Sequence, residues 1–430
     1  MHVFITKRVQ PSFSIGSVFW VLVLALFVAT TLQAQGLVPM IRSALAQDPI
    51  IKSHVALEAA SAAQVESAEW QFYPTPSIAI QSAVSGFDSN VSHRVITLSV
   101  QQPLWNGGRL QAGVDEANAD LSLQANTTQA KRWDMAQAVV QAYGKWWVAH
   151  HQRLSWDEGL KVHEKFVQQV GRRVDIGVSA IIDLGLAEGR LSATLAERNL
   201  ALAQEQIALD DLKFLTKIDS LNLTAEAQLP AVSLEFVAYN RLLDAALSNS
   251  ISLKQAKARA EKAEAEQDAQ QASIWPQLYL QAERQIGNFS QTNVNNDTTV
   301  FVVFSSQLNA GLSFQSNNEA SEATYTAALE QVNGEEQNVA RQLRSSLTLI
   351  ASFNKRQIAL NAARGKSKQV YQSFNRQFTE GLKDWQELLN SARELVQSDV
   401  QWAQTYGQYL VASWQLQLDT QGLSFLAEGT

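Results

Sequence analysis

The 430-residue sequence contains no cysteine. That removes disulfides, thiolate metal sites, iron–sulfur centres, cysteine nucleophiles and any lipid anchor built on an acylated cysteine. Proline is scarce: none lies between Pro103 and Pro230, and none follows Pro276. Proline deletes an internal helix bond and clashes with the preceding turn, so these two gaps permit helices of unusual length. Long apolar runs are missing as well. Val18 to Val28 is the one extended run, well short of the roughly 20 residues of a membrane-spanning helix. Positive charge is not in excess: 34 basic against 41 acidic residues gives a net charge of −7, with the signs interspersed. Such a chain has no basic field for nucleic acid.

Catalytic signatures are lacking too. His54, His93, His150, His151 and His163 have no metal-motif spacing, and the adjacent pair His150 and His151 would point to different helix faces. The NGGR stretch lacks the Gly-Lys-Ser/Thr of a phosphate-binding loop, and no nucleophile elbow is found. The expectation is a protein with no cofactor, no metal and no enzymatic activity, which draws energy for any transport from a partner.

What is present is a helix-forming composition rich in Ala, Glu, Leu and Gln, behind a distinctive N-terminus. Lys7 and Arg8 precede the apolar run, and small and polar residues ending LQAQG follow it. This reads as a secretory signal peptide over 1–34, cleaved after Ala34, with an uncleaved signal anchor as the competing reading. The mature chain is then exported.

The mature sequence repeats itself. RVDIGVSAIIDLGLAEGRL begins at Arg173 and QFTEGLKDWQELLNSAREL begins at Gln377. An offset of 204 superimposes Gly177 on Gly381, Asp183 on Glu387, Leu184 on Leu388 and Leu191 on Leu395. Further upstream, at an offset of 202, Ala44, Lys52, Ala56 and Pro74 recur as Ala246, Lys254, Ala258 and Pro276. Both halves follow one order: helical segment, aromatic-proline stop, alternating segment, very long helical segment, glycine turn, final helix. The predicted organisation is a first repeat over 35–219, a linker over 220–233 around Pro230, and a second repeat over 234–430.

From Trp105 to Gly177 is about 70 residues, which as continuous helix would span about 100 Å. After Gly177, Leu195, Leu202 and Leu209 recur every seven residues, beside a second seam of Leu200, Ile207 and Phe214. After Gly381 the series Leu388, Leu395, Trp402, Tyr409 and Leu416 does the same. A seven-residue period predicts coiled-coil packing, and two offset seams predict a helix with neighbours on both sides. A simple antiparallel coiled coil is the plainer alternative.

Strands are expected at about 75–85, 93–103, 277–287 and 299–314. Ile96, Leu98 and Val100 alternate with Thr97, Ser99 and Gln101, and Leu308, Ala310, Leu312 and Phe314 alternate with Gln307, Asn309, Gly311 and Ser313. Period-two alternation over about ten residues suits a transmembrane β-strand, although soluble hairpins share it. Four strands cannot close a membrane barrel, whose smallest single-chain form has about eight, and lipid does not tolerate open edges. Three copies would supply twelve. Aromatics mark the helix–strand junctions: Trp70, Phe72 and Tyr73 before Pro74, Trp105 after Pro103, and Trp275 before Pro276. Such residues favour a membrane–water boundary, or serve simply as packing anchors.

FYP and IWP ahead of the strands, QQPLWNGGR from Gln101 to Arg109, and the two glycine-centred turns together resemble the TolC-like outer-membrane factors. These are the exit ducts of type I secretion systems and multidrug efflux pumps. The resemblance covers essentially the whole mature chain. It implies a mainly α fold with a transmembrane β-barrel: a homotrimer sharing one 12-stranded barrel, continued by a long periplasmic α-helical barrel. Gly107 and Gly108 would open the first long helix. The second half has LNAGLSFQSN instead of the proline and double glycine, which leaves the start of its long helix undefined.

The resemblance also implies roles for the duplicated turns, which in the family close the periplasmic tip and meet the adaptor protein. Asp183 occupies the position of a gate-latching carboxylate, Lys383 that of a basic partner, and Phe378 that of a common tyrosine. Glu387 and Asn390 fall where two constricting acidic residues occur, so Asn390 leaves at most one charged ring. Asp183 and Glu387 also suit helix N-termini on dipole grounds alone. The implied partners are outer-membrane lipid, a periplasmic adaptor (membrane fusion) protein, and an inner-membrane ABC transporter or proton-driven pump. The expected function is type I secretion of a large protein such as an adhesin. Many efflux ducts of the family carry a lipidated cysteine, absent here. Small-molecule efflux is the alternative, and a soluble periplasmic coiled-coil adaptor or scaffold is the alternative of another class.

Overall fold

The computed structural model describes residues 36–82, 94–224, 226–230, 239–287, 298–306 and 313–426. The expected signal peptide lies outside the described residues, as do the tips of both strand hairpins and residues 231–233 of the linker.

The duplication is visible in element lengths. In the first half, α1 (Leu37–Gln47) and α2 (Pro49–Trp70) have 11 and 22 residues. They lead through β1 (Thr75–Ser82) and β2 (Arg94–Trp105) to α3 (Arg109–Asp175) and α4 (Ile181–Thr216), of 67 and 36 residues. The second half repeats the series as α5 (Tyr239–Asn249), α6 (Ile251–Ala272), β3 (Gln277–Ile286), β4 (Thr298–Ser305), α7 (Ser313–Thr379) and α8 (Trp385–Gln421), whose helices have 11, 22, 67 and 37 residues. At 1.5 Å per residue, α3 and α7 are each about 100 Å long. No described helix is long and apolar enough to cross a membrane.

Local chemistry sets the boundaries. Asp48 starts α2 by accepting from the Ile51 amide at 2.8 Å, with Pro49 in the first turn where its missing N–H costs nothing. Ser250, its counterpart, accepts from the Leu253 amide at 3.2 Å. At the start of α3, Asn106 Oδ1 accepts from the Leu110 amide at 3.2 Å, while Gly107 and Gly108 turn the chain at φ +65° and +94°. This is the structural content of QQPLWNGGR.

The strands form one antiparallel sheet in the order β1-β2-β3-β4, so β2 and β3 join the halves and β1 and β4 are its edges. The register aligns Ile78 with Leu98, Val100 with Ala282, Ala282 with Val300, and Leu280 with Val302. One face thus carries Ile78, Ile80, Ile96, Leu98, Val100, Leu280, Val300, Val302 and Phe304, interrupted by Gln102, Arg284 and Thr298. The other carries Ser77, Thr97, Ser99, Gln101, Gln281, Glu283 and Thr299 together with Val95, Tyr279, Phe301 and Val303, with the Ser77 and Ser99 hydroxyls 2.7 Å apart. Val302 and Phe304 on the apolar face are each 69 % exposed.

The fourth strand differs from the expected 299–314. It ends at Ser305, and Phe314 is already inside α7. Residues 307–312 lie outside the described residues. Ser313 and Phe314, placed in the strand by their alternation, instead lie in the first turn of α7.

Among the helices, α3 is central: α1, α2, α4, α6 and α8 all pack on it, while α7 packs on α5, α6 and α8. The main core lies midway along the rods, where Trp146 and Trp147 of α3 meet Leu37 and Ile41 of α1, Leu212 of α4, and Leu410 and Trp414 of α8. The buried seam of α4 is not the expected leucine series. It is Ala187, Thr194, Ala201 and Ala208, again seven apart, small residues that bring α4 close to α3. The second predicted seam, Leu200, Ile207 and Phe214, is 54 to 71 % exposed.

Candidate functional site: the paired hairpin tips

The α3–α4 and α7–α8 hairpins turn through the same capping geometry. The Val178 amide donates to Arg173 O at 2.8 Å and the Gly177 amide to Val174 O at 2.9 Å. In the second turn, Leu382 donates to Gln377 O at 2.8 Å and Gly381 to Phe378 O at 3.1 Å. This double bond over a residue at positive φ is the Schellman cap, and Gly177 and Gly381, at φ +77° and +74°, are the residues that adopt it without strain.

The two tips pack on each other through apolar side chains. Phe166 and Val170 of α3, Ala187 of α4, and Phe378, Leu388 and Leu389 of the second hairpin form one buried cluster. The Phe166 ring lies 5.9 Å from both Phe378 and Trp385, and the Arg173 guanidinium lies 5.4 Å from the Phe378 ring centre. Phe378, 6 % exposed, thus lies at the centre of the contact between the hairpins.

Asp183, Lys383 and Glu387 are each engaged within their own hairpin. Asp183 Oδ2 accepts from the Ala180 amide at 3.2 Å, half of a capping box that closes the first turn of α4. At the start of α8 the N-cap Asp384 instead accepts from the Trp385 amide at 2.7 Å. Glu387 accepts Lys383 Nζ at 2.8 Å, and the same ammonium sits 4.6 Å from the Phe374 ring centre. Asn390 is exposed one residue beyond the buried Leu389.

Sequence reasoning missed the apolar crown of the first tip. Ile176, Val178, Ile181 and Ile182 are 61 to 75 % exposed, and Leu382 on the second tip is equally bare. The signal was in plain sight, since DIGVSAII puts four branched aliphatics around one glycine with no helical face to bury them. It also missed Phe166 and Trp385, whose partners are more than two hundred residues away.

At the other end of the rods, the aromatic junctions assemble in pairs. Trp70 and Tyr73 lie 5.0 Å apart, Trp105 and Trp275 6.2 Å apart, and all four are exposed. Pro74 and Pro276 directly precede β1 and the start of β3, and Pro103 lies at the bulge in the β2–β3 register. Gln102 Nε2 donates to Phe72 O at 2.8 Å, tying the second strand to the first aromatic stop. Gly107 lies so close to Trp275 that an added Cβ would fall 2.4 Å from the tryptophan Cβ.

Midway, the histidines serve packing. His150 Nδ1 is 2.7 Å from Glu205, which also binds Arg153, and His151 stacks on Trp147 at 3.9 Å. Burial lowers the His163 pKa, and the nearby Arg190 charge adds to the shift.

A model of the outer membrane efflux protein family matches residues 40–216 and 242–418, one match per repeat. The chain belongs to that family. No curated protein matches it. Among solved structures it is similar to the CusC channel, with TM-score 0.76 and 16 % identity over 89 % of this chain and 91 % of that one. It is also similar to the outer-membrane channel OprN, with TM-score 0.76 and 18 % identity over 90 % and 89 %. VceC of Vibrio cholerae gives TM-score 0.73 and 18 % identity over 90 % and 95 %. At such identities the likeness is one of fold: tandem halves, each a strand pair between helices, as in outer membrane efflux channels.

Proposed function

We propose that this efflux-family protein works as a homotrimeric, non-enzymatic duct in the outer membrane of a Gram-negative cell. In this reading each copy lends four strands to a 12-stranded barrel and its rods to a periplasmic tunnel. The observation that carries it is the sheet: among the described residues both edges are unpaired, and one face is mainly aliphatic and exposed while the other mixes polar with apolar side chains. Water would penalise the bare apolar face and lipid would penalise the open edges, so closure with other copies resolves both. The exposed Leu200, Ile207 and Phe214 of α4 supply a helical surface for the same assembly. Trp70, Tyr73, Trp105 and Trp275 then form the belt at the membrane–water boundary.

The tips are the gate. Three copies would bring Asp183, Lys383 and Glu387 around one axis, where like charges repel, and the apolar crown is the surface offered to a periplasmic adaptor. An inner-membrane ABC transporter or proton-driven pump supplies the energy. The cargo is a large polypeptide such as an adhesin, exported by type I secretion, and the cysteine-free sequence favours this over the lipid-anchored efflux ducts. Deleting the gene tests the cargo directly. Loss of one large secreted protein from the medium, with drug susceptibility unchanged, is expected; drug sensitisation with an intact secretome would assign small-molecule efflux instead.

The charged tip residues lead to a graded prediction. Asp183→Ala and Lys383→Ala each remove one local interaction of about 0.3–1 kcal/mol. Each should raise single-channel conductance in planar bilayers modestly, and unchanged conductance in both would remove the charged latch from the gate.

A further inference from the structure

A cavity of about 310 Å³ lies where α3, α5, α6, α7 and α8 converge, far along the rods from the hairpin tips. Asp419, in the last turn of α8, forms part of its wall. The carboxylate has no hydrogen bond or ion pair among the described residues, and burial alone lifts its pKa to about 6. Asp419 is partly buried, and a carboxylate desolvated without a partner is left uncompensated.

The duplication makes the position informative. An offset of 204 sets Asp419 on Leu215, and the next residues confirm the register: Thr216 and Thr420 each donate a hydroxyl to the carbonyl four residues back at 2.7 Å. Leu215 packs against the main core. Its counterpart faces a void with a carboxylate. One half uses this position for packing, and the other leaves room and a charge.

The rest of the wall defines what would fit. Trp133 of α3 offers a flat ring, Ile251 and Leu343 offer apolar surface, and Gln342 offers an amide. No Lys, Arg or His lines the cavity, and the second acid, Asp134, is already paired with Lys131 at 3.2 Å. The segments from α5, α6, α7 and the rest of α8 contribute neutral residues only. A metal ion suits these walls poorly: no group of three ligating side chains occurs among the described residues.

We propose that this cavity is a binding site for a small organic monocation, an amine bearing one aromatic ring, with Asp419 as counter-charge and Trp133 as the stacking wall. The ammonium replaces the missing partner of the carboxylate, and the ring takes the apolar side of the cavity, where cation–π attraction to the indole adds to burial. Binding needs the ionised carboxylate, so affinity rises as pH climbs through the carboxyl pKa and falls below it.

The test is calorimetric titration of the intact protein in detergent with phenethylamine, using 2-phenylethanol as the neutral control. Wild type should bind the amine saturably at about pH 7.5 and about tenfold more weakly at about pH 5, where roughly a tenth of the carboxyl is ionised. The alcohol should not bind. Asp419→Asn should weaken amine binding at least as much, and Trp133→Leu should weaken it while preserving the pH dependence. Absence of saturable heat in the wild type, equal binding of the alcohol, or full affinity in Asp419→Asn would overturn the proposal. Should Asp419→Asn fail to fold, the pH series and the alcohol control decide the matter on the wild type alone.

Discussion

Phe378→Ala is expected to part the two hairpin tips and to raise channel conductance far more than removal of any charged tip residue. The side chain is buried against Phe166 and under Arg173, with the second hairpin's own Leu388 and Leu389 beside it. Truncating a buried phenylalanine typically costs about 3–5 kcal/mol, through lost transfer energy and the cavity left behind. The partly exposed Lys383–Glu387 pair, by comparison, is a surface ion pair of about 0.2–1 kcal/mol. If the tips are the gate of the proposed duct, apolar packing between the hairpins holds it chiefly, with charge as a minor contribution. Planar-bilayer recordings would show it: a large, persistent conductance for Phe378→Ala and a modest change for Lys383→Ala. The reverse ranking would mean that ion pairs hold the tip.

The second large effect is expected at the other end of the rods. Gly107→Ala combines two penalties, a left-handed backbone at φ +65° and a Cβ only 2.4 Å from Trp275 Cβ. The backbone term is about 1–2 kcal/mol and overpacking against a rigid neighbour adds about 1–3 kcal/mol. Because Trp275 immediately precedes Pro276 and β3, relief of the clash displaces the strand that joins the halves. The variant should lose the heat-sensitive oligomer band in outer-membrane fractions. Gly108→Ala is the control, since its φ of +94° is strained while nothing lies within 4 Å of an added Cβ. It should be milder. Gly113→Ala, inside α3 with open space around it, should be neutral or stabilising by up to about 1 kcal/mol.

Much of this fold was legible because its determinants are local or repeated. The proline-free spans, the offsets of 202 and 204, the Asn106-Gly107-Gly108 turn and the glycines of the two tips are each readable from neighbouring residues. The second seam predicted on α4 is exposed, and its proposed neighbour would be another copy of the chain. What stayed hidden depends on contacts across the molecule. The buried face of α4 is an alanine–threonine heptad, invisible in a sequence so rich in alanine. Phe378 meets Phe166 across more than two hundred residues, and no local pattern marks the pair. The end of β4 was misread because Leu308 to Phe314 alternates in hydrophobicity while Ser313 already begins α7. Asp419 reads as one more surface acid on a helix, and only its wall of neighbours reveals the cavity in front of it.

The central claim is that one chain is a third of a barrel. The most direct measurement is the native mass of the protein extracted in detergent from separated outer membranes. A particle containing three chains, dissociating on heating, is the predicted result. A monomer or dimer recovered from the soluble periplasm would contradict the barrel, and the duct with it.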